Sequence, residues 1–133
     1  MMKTMNDLFS RIKEAETIAV GGHIRPDGDC VGSCVALYLY LKKNYPDKKV
    51  SVYLDHVPQE FLFLTGTDEV VSAKGVEACF DLFISLDCGD LSRLGDAQAL
   101  FEQAKDTISL DHHITNEMFA KTNLVEADRS STC

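Results

Sequence analysis

Apolar residues fall along the chain in short blocks, and the spacing inside each block predicts the backbone that carries it. Over residues 5–15, Leu8, Ile12 and Ala15 recur at helical intervals, so a short amphipathic helix with one buried side is expected. Thr17–Gly22, TIAVGG, is a brief apolar run closed by glycines and reads as a buried strand. Residues 30–44, CVGSCVALYLYLKKN, stay apolar for too long to be a strand; a buried helix is expected, stopped before Pro46. Val50–Leu54 is a second strand, residues 59–64 a helical turn and Asp81–Leu86 a third strand. Ala97–Lys105 follows as a helix and Thr107–Leu110 as a fourth strand. Strands alternating with helices predict an α/β domain in three layers, built on a mostly parallel sheet.

Three of these strands run directly into acids or histidines. IAVGG leads into His23-Ile24-Arg25-Pro26-Asp27-Gly28-Asp29, LFISL into Asp87-Cys88-Gly89-Asp90, and ISL into Asp111-His112-His113. The carboxyl ends of parallel strands share one edge, where open α/β folds form their ligand sites. Side chains distant in sequence are therefore expected to converge. Two carboxylates and an imidazole in the first segment suit a divalent cation that accepts nitrogen and oxygen, such as Mn²⁺. In extended chain Asp27 and Asp29 would be displaced by about 6–7 Å and point the same way. Each could then serve one member of a cation pair, whose ions sit about 3.5–4 Å apart. Pro26 keeps a helix from starting early. The same residues also read as an ordinary Asp-Gly turn, with Asp29 capping the helix that follows.

Asp87 ends its apolar strand and is better placed than Asp90 to bridge two cations with its two oxygens, whereas Asp90 is expected to cap the next turn. Arg93 could reach a phosphate, but pairing with a neighbouring acid is the expectation. Adjacent residues leaving a strand point to opposite sides. One of His112 and His113 is therefore expected to ligate while the other faces the substrate. His56 stands alone and carries no assignment.

Taken together, H-x-x-x-D-x-D, a later D and then DHH, each at a strand end, are hard to obtain from packing needs alone. HIRPDGDCVGS, DCGD and DHH resemble the motifs of the DHH phosphoesterases. The wider context, with SLDCGDLSRLG, DHHITN and NLVEADRSST, is most similar to the branch of nano-RNases and pAp phosphatases, from Thr17 onward. The resemblance implies that His23 and Asp27 hold one Mn²⁺, that Asp29 and His112 hold the other, and that Asp87 bridges them. Mg²⁺ and Co²⁺ are the alternative ions. It further implies that His113 contacts the scissile phosphate, with Arg25 as a second substrate contact, and that Asp111 orients a histidine through a hydrogen bond. His113 and Asp111 are the expected catalytic residues; Ser33 matches a small polar position near the site, with packing an equal reading. The implied reaction is hydrolysis of short oligonucleotides or 3′,5′-phosphoadenosine by a cation-activated water. Pyrophosphate hydrolysis is the alternative chemistry, and a non-catalytic metal- or nucleotide-binding fragment the alternative class. The family's fourth metal-binding Asp and its C-terminal substrate domain are not matched here, so residues 1–133 are expected to be a truncated N-terminal domain with weak activity or none.

Composition narrows these readings. A chain of 133 residues, 45% hydrophobic, buries roughly two-thirds of its unfolded surface and supports a core without staples. Its apolar runs are too short to span a membrane, and the charged start MMKTMNDLFSRIKEAE is unlike a secretory signal. A cytoplasmic protein is expected. Cys30, Cys34, Cys79, Cys88 and Cys133 are odd in number and lack a C-x-x-C pair, which reads as reduced thiols. Cys30 and Cys34 would share a helix face, where small apolar packing is preferred over a thiolate metal pair. The net charge of −8, without a basic stripe, excludes a grip on long nucleic acid but not a small phosphate ligand held through cations. Lys42, Lys43, Lys48 and Lys49 complement a helix's negative end. Homodimerisation is left open.

Overall fold

In a computed structural model of the chain, residues 5–112 and 118–125 are described. They form helix α1 (Met5–Glu14), strand β1 (Thr17–Gly21), helix α2 (Gly28–Asn44) and strand β2 (Lys49–Tyr53). Strands β3 (Val70–Val71) and β4 (Leu82–Leu86), helix α3 (Gln98–Gln103) and strands β5 (Asp106–Asp111) and β6 (Thr122–Val125) follow. All six strands are parallel, in the order β3-β2-β1-β4-β5-β6. The architecture is thus the expected α/β domain. From β1 the chain winds outward through β2 to β3, and from β4 outward through β5 to β6. The direction reverses between β1 and β4, which makes their carboxyl ends a topological switch point.

The central strands are largely apolar because both of their faces are covered. Ile18, Val20, Ile84 and Ile108 pack beneath α1 and α2, against Leu8, Ile12, Val31 and Leu41. On the opposite face Ala19 and Phe83 meet Tyr53, Leu100 and Phe101. The rings of Phe83 and Phe101 stand edge to face, 5.4 Å apart. Each such side chain contributes about 1.5–3 kcal/mol through burial. Among the described residues, no helix is long and apolar enough to cross a membrane.

Three local differences from the expected elements have physical reasons. Helix α2 begins at Gly28, and its cap is Asp27 rather than Asp29. Asp27 is extended and its carboxylate accepts from the Cys30 amide at 3.0 Å, so Asp29 enters the first helical turn and the pair does not lie in extended chain. The helix expected over 97–105 is divided. Leu91–Ala97 is 3₁₀, interrupted at Gly95 with φ 61°, and only Gln98–Gln103 is α-helical. Strands β3 and β6 were not expected, being too short to show a period.

Candidate metal centre

The switch point gathers five of the residues singled out above. His23 follows β1, Asp27 caps α2, Asp29 lies in its first turn, Asp87 follows β4 and His112 follows β5. Asp87 stands in the middle. Its Oδ2 is 3.3 Å from His23 Nε2 and its Oδ1 is 3.2 Å from His112 Nε2. Each histidine meets a second carboxylate: His23 Nε2 lies 3.7 Å from Asp27 Oδ1, and His112 Nε2 lies 3.2 Å from Asp29 Oδ2. The result is two imidazole–carboxylate clusters sharing one acid.

Several neighbours set this geometry. The Nδ1–H of His23 donates to the Ile24 carbonyl at 2.7 Å, which leaves Nε2 to face the acids. Asp87 has a left-handed backbone, φ 57°, a conformation that costs a non-glycine residue about 1–3 kcal/mol and persists where the surroundings impose it. Its amide donates to Leu110 O at 2.9 Å, tying the end of β4 to β5. Ser33, buried in α2, donates to the Asp29 carbonyl at 2.6 Å and lies 3.2 Å from the Asp29 carboxylate. Of its two sequence readings, a position close to the site is the one the geometry favours.

Electrostatics here favour positive charge. The Asp87 carboxylate, assisted by Cys30 and against the pull of burial, raises His23 to about 11. Imidazole with carboxylate is a donor set for divalent transition ions. The nearby thiols diverge. Hydrogen bonding to Cys34 lowers Cys30 to about 6, while Cys34, as the donor of that pair and deeply buried, is raised. Burial pushes Cys88 up to about 12.

The other candidates are placed differently. Arg25 is exposed in the loop after His23, with φ 52°. Asp111 is buried at the end of β5. His113 lies outside the described residues. Asp90 caps the following turn as expected, accepting from the Ser92 amide at 2.8 Å. The Arg93 guanidinium is 3.5 Å from His23 Nδ1, and its charge also favours the neighbouring Asp90 carboxylate. The Arg93 carbonyl accepts from the Ile24 amide at 2.6 Å, which ties the turn after β4 to the His23 loop. Sequence reasoning set Cys30 aside as packing, yet its sulfur belongs to a donor group with His23 and Asp87. A cysteine directly after the D-x-D motif was the available signal.

Fold and site define a doubly wound parallel domain that collects acids and imidazoles at its switch point. The chain belongs to the DHH family, whose N-terminal domain matches residues 17–133. It is 29% identical over 130 residues to the Streptococcus mutans protein named "Probable bifunctional oligoribonuclease and PAP phosphatase NrnA", covering 98% of this chain and 40% of that protein. The bifunctional oligoribonuclease and PAP phosphatase NrnA of Bacillus subtilis is 29% identical over 131 residues, with 98% and 39% covered. This chain thus spans about two-fifths of the length of these relatives. An exopolyphosphatase-related protein from Bacteroides fragilis shares the fold, with a TM-score of 0.81 at 24% identity over 96% of this chain and 40% of that one.

Proposed function

We propose that this chain carries the cation centre of a DHH-type phosphoesterase that hydrolyses short oligonucleotides and 3′,5′-phosphoadenosine. The observation that carries the reading is Asp87, whose two oxygens each face a different histidine at 3.2–3.3 Å. The names of the relatives supply the substrate classes.

In this reading His23 and Asp27 would hold one Mn²⁺, Asp29 and His112 would hold the other, and Asp87 would serve both, with Mg²⁺ or Co²⁺ as substitutes. Bound divalent cations would supply Lewis-acid charge and a water of lowered pKa. The protein's own side chains do the rest. Ser33 holds the Asp29 carboxylate in place, and Ile24 fixes the tautomer of His23. Asp111 orients a histidine, and His113 contacts the scissile phosphate. Arg25 offers its planar guanidinium to the phosphoryl oxygens. The buried sheet behind the cluster keeps these groups rigid, which is where positioning gains in rate originate. A cytoplasmic setting belongs to the same reading.

The test is to incubate the Mn²⁺-loaded chain separately with a dinucleotide, 3′,5′-phosphoadenosine and pyrophosphate, and to quantify the products. Slow release of mononucleotide and of phosphate from the first two is expected. Release from pyrophosphate alone would replace this reading with pyrophosphatase chemistry. Cation binding with no turnover of any of the three would leave a binding module.

A further inference from the structure

We infer that Cys30 is a sulfur donor to the cation on the His23 side of the site, and that this half therefore prefers thiophilic ions. The inference rests on the cation-site reading above. One donor atom each from His23, Cys30 and Asp87 lie within 4.8 Å of one another. All three residues are buried, with 8%, 0% and 2% of their surface exposed. An ion central to a triangle of that size sits no more than about 2.8 Å from each corner. Shifts of roughly half an ångström would bring it to the distances of about 2.0–2.3 Å that zinc makes with nitrogen, oxygen and sulfur.

The sulfur is closely packed on one side. It sits against the end of β1, where a Cβ added to Gly22 would come within 2.3 Å of it. Asp27, the acid expected on this side, leaves 67% of its side chain exposed. Its Oδ1 also accepts from the Cys30 amide. Cys30 is thus the more enclosed third donor. Among the described residues, the His112 side offers nitrogen and oxygen, from Asp29, Asp87 and His112. A mixed nitrogen, oxygen and sulfur set favours Zn²⁺, Co²⁺ or Fe²⁺, whereas Mg²⁺ prefers oxygen. The two halves therefore differ in softness.

The test is to titrate the full chain with Co²⁺ under reducing conditions, following the near-ultraviolet band of a cobalt–thiolate bond and, by calorimetry, the ions bound. The intact chain and Cys34→Ala should both develop the band. Cys30→Ala and Cys30→Ser, with circular dichroism confirming their fold, should lack it. Both should still bind Co²⁺, about tenfold or more weakly, with Mg²⁺ affinity nearly unchanged, as expected on removing a soft donor. Co²⁺ binding by the intact chain without the band, or a band that survives both Cys30 substitutions, would overturn the assignment of sulfur alone. Absence of Co²⁺ binding altogether would overturn the cation site, and this inference with it.

Discussion

The two ends of the sheet handle charge in opposite ways. At the amino ends of the strands, acids meet bases. Arg11 pairs with Asp106, its Nε lying 2.6 Å from Oδ2, and it also donates to Thr122. Asp81 accepts from the Glu16 amide at 3.0 Å and faces Lys105 at 3.5 Å, while the Lys48 ammonium donates to the Lys13 and Ala15 carbonyls. Each charge there offsets a neighbour or closes a backbone group, as polar groups at element ends generally do. At the carboxyl ends, Asp27, Asp29 and Asp87 face imidazoles, and Asp87 does so from a left-handed backbone. Charge clusters that complement one another hold a fold together. Crowded acids and imidazoles on a strained backbone are expected at functional sites.

That contrast can be broken experimentally. The largest effect should come from Asp87→Ala, which removes the shared acid. Calorimetry should show both cations weakened together by more than about 100-fold, beyond what losing an outer partner typically costs. Loss of one ion with the other intact would refute the sharing. Next come His23→Ala and His112→Ala, each expected to weaken its own ion by at least the roughly 10- to 100-fold that loss of an outer partner costs while sparing the other, as resolved by metal analysis after dialysis. Equal loss of both ions in either variant would merge the two halves into one site.

At the amino end the sign of the experiment changes. Asp106→Ala should cost about 1–2 kcal/mol in urea unfolding, less than a fully buried pair because 32% of the Asp106 side chain is exposed. Its cation affinity should equal that of the intact chain. The smallest effect concerns Asp81. Hydrogen bonding from the Glu16 amide, together with Thr17 and Lys105, holds its carboxyl below the usual carboxylate range. A depressed folded pKa contributes stability above the unfolded value, and that contribution is lost as pH falls through the folded value. The gap in unfolding midpoint between the intact chain and Asp81→Ala should therefore be full near neutrality and close in acid. A gap independent of pH would remove the carboxylate from the account.

The sequence makes some of this legible and hides the rest for physical reasons. β1 and β4 stand out because they are buried on both faces, and α2 because its apolar stretch is too long for a strand, although Leu39 and Tyr40 on its outer side are exposed. β6 escapes notice because four residues with Asn123 among them show no period, and β3 has only two residues. The cap of α2 is expected too late in the chain, at Asp29, because both acids can cap a helix, and only the folded geometry shows that the Asp27 carboxylate meets the Cys30 amide. The site residues were visible through their places at strand ends. Their pairing was implied by the resemblance alone; residue spacing could not give it, since it depends on β1, β4 and β5 becoming neighbours in the sheet. Cys30 was hidden most thoroughly: a cysteine in an apolar helix reads as packing until the fold sets it beside Asp87.

The central claim is that Asp87 holds two cations at the switch point, and diffraction from crystals soaked in Mn²⁺ tests it most directly. Anomalous maps should show two peaks about 3.5–4 Å apart, with one Asp87 oxygen on each, His23 on one ion and His112 on the other. A single ion, or two ions that do not share Asp87, would contradict the account.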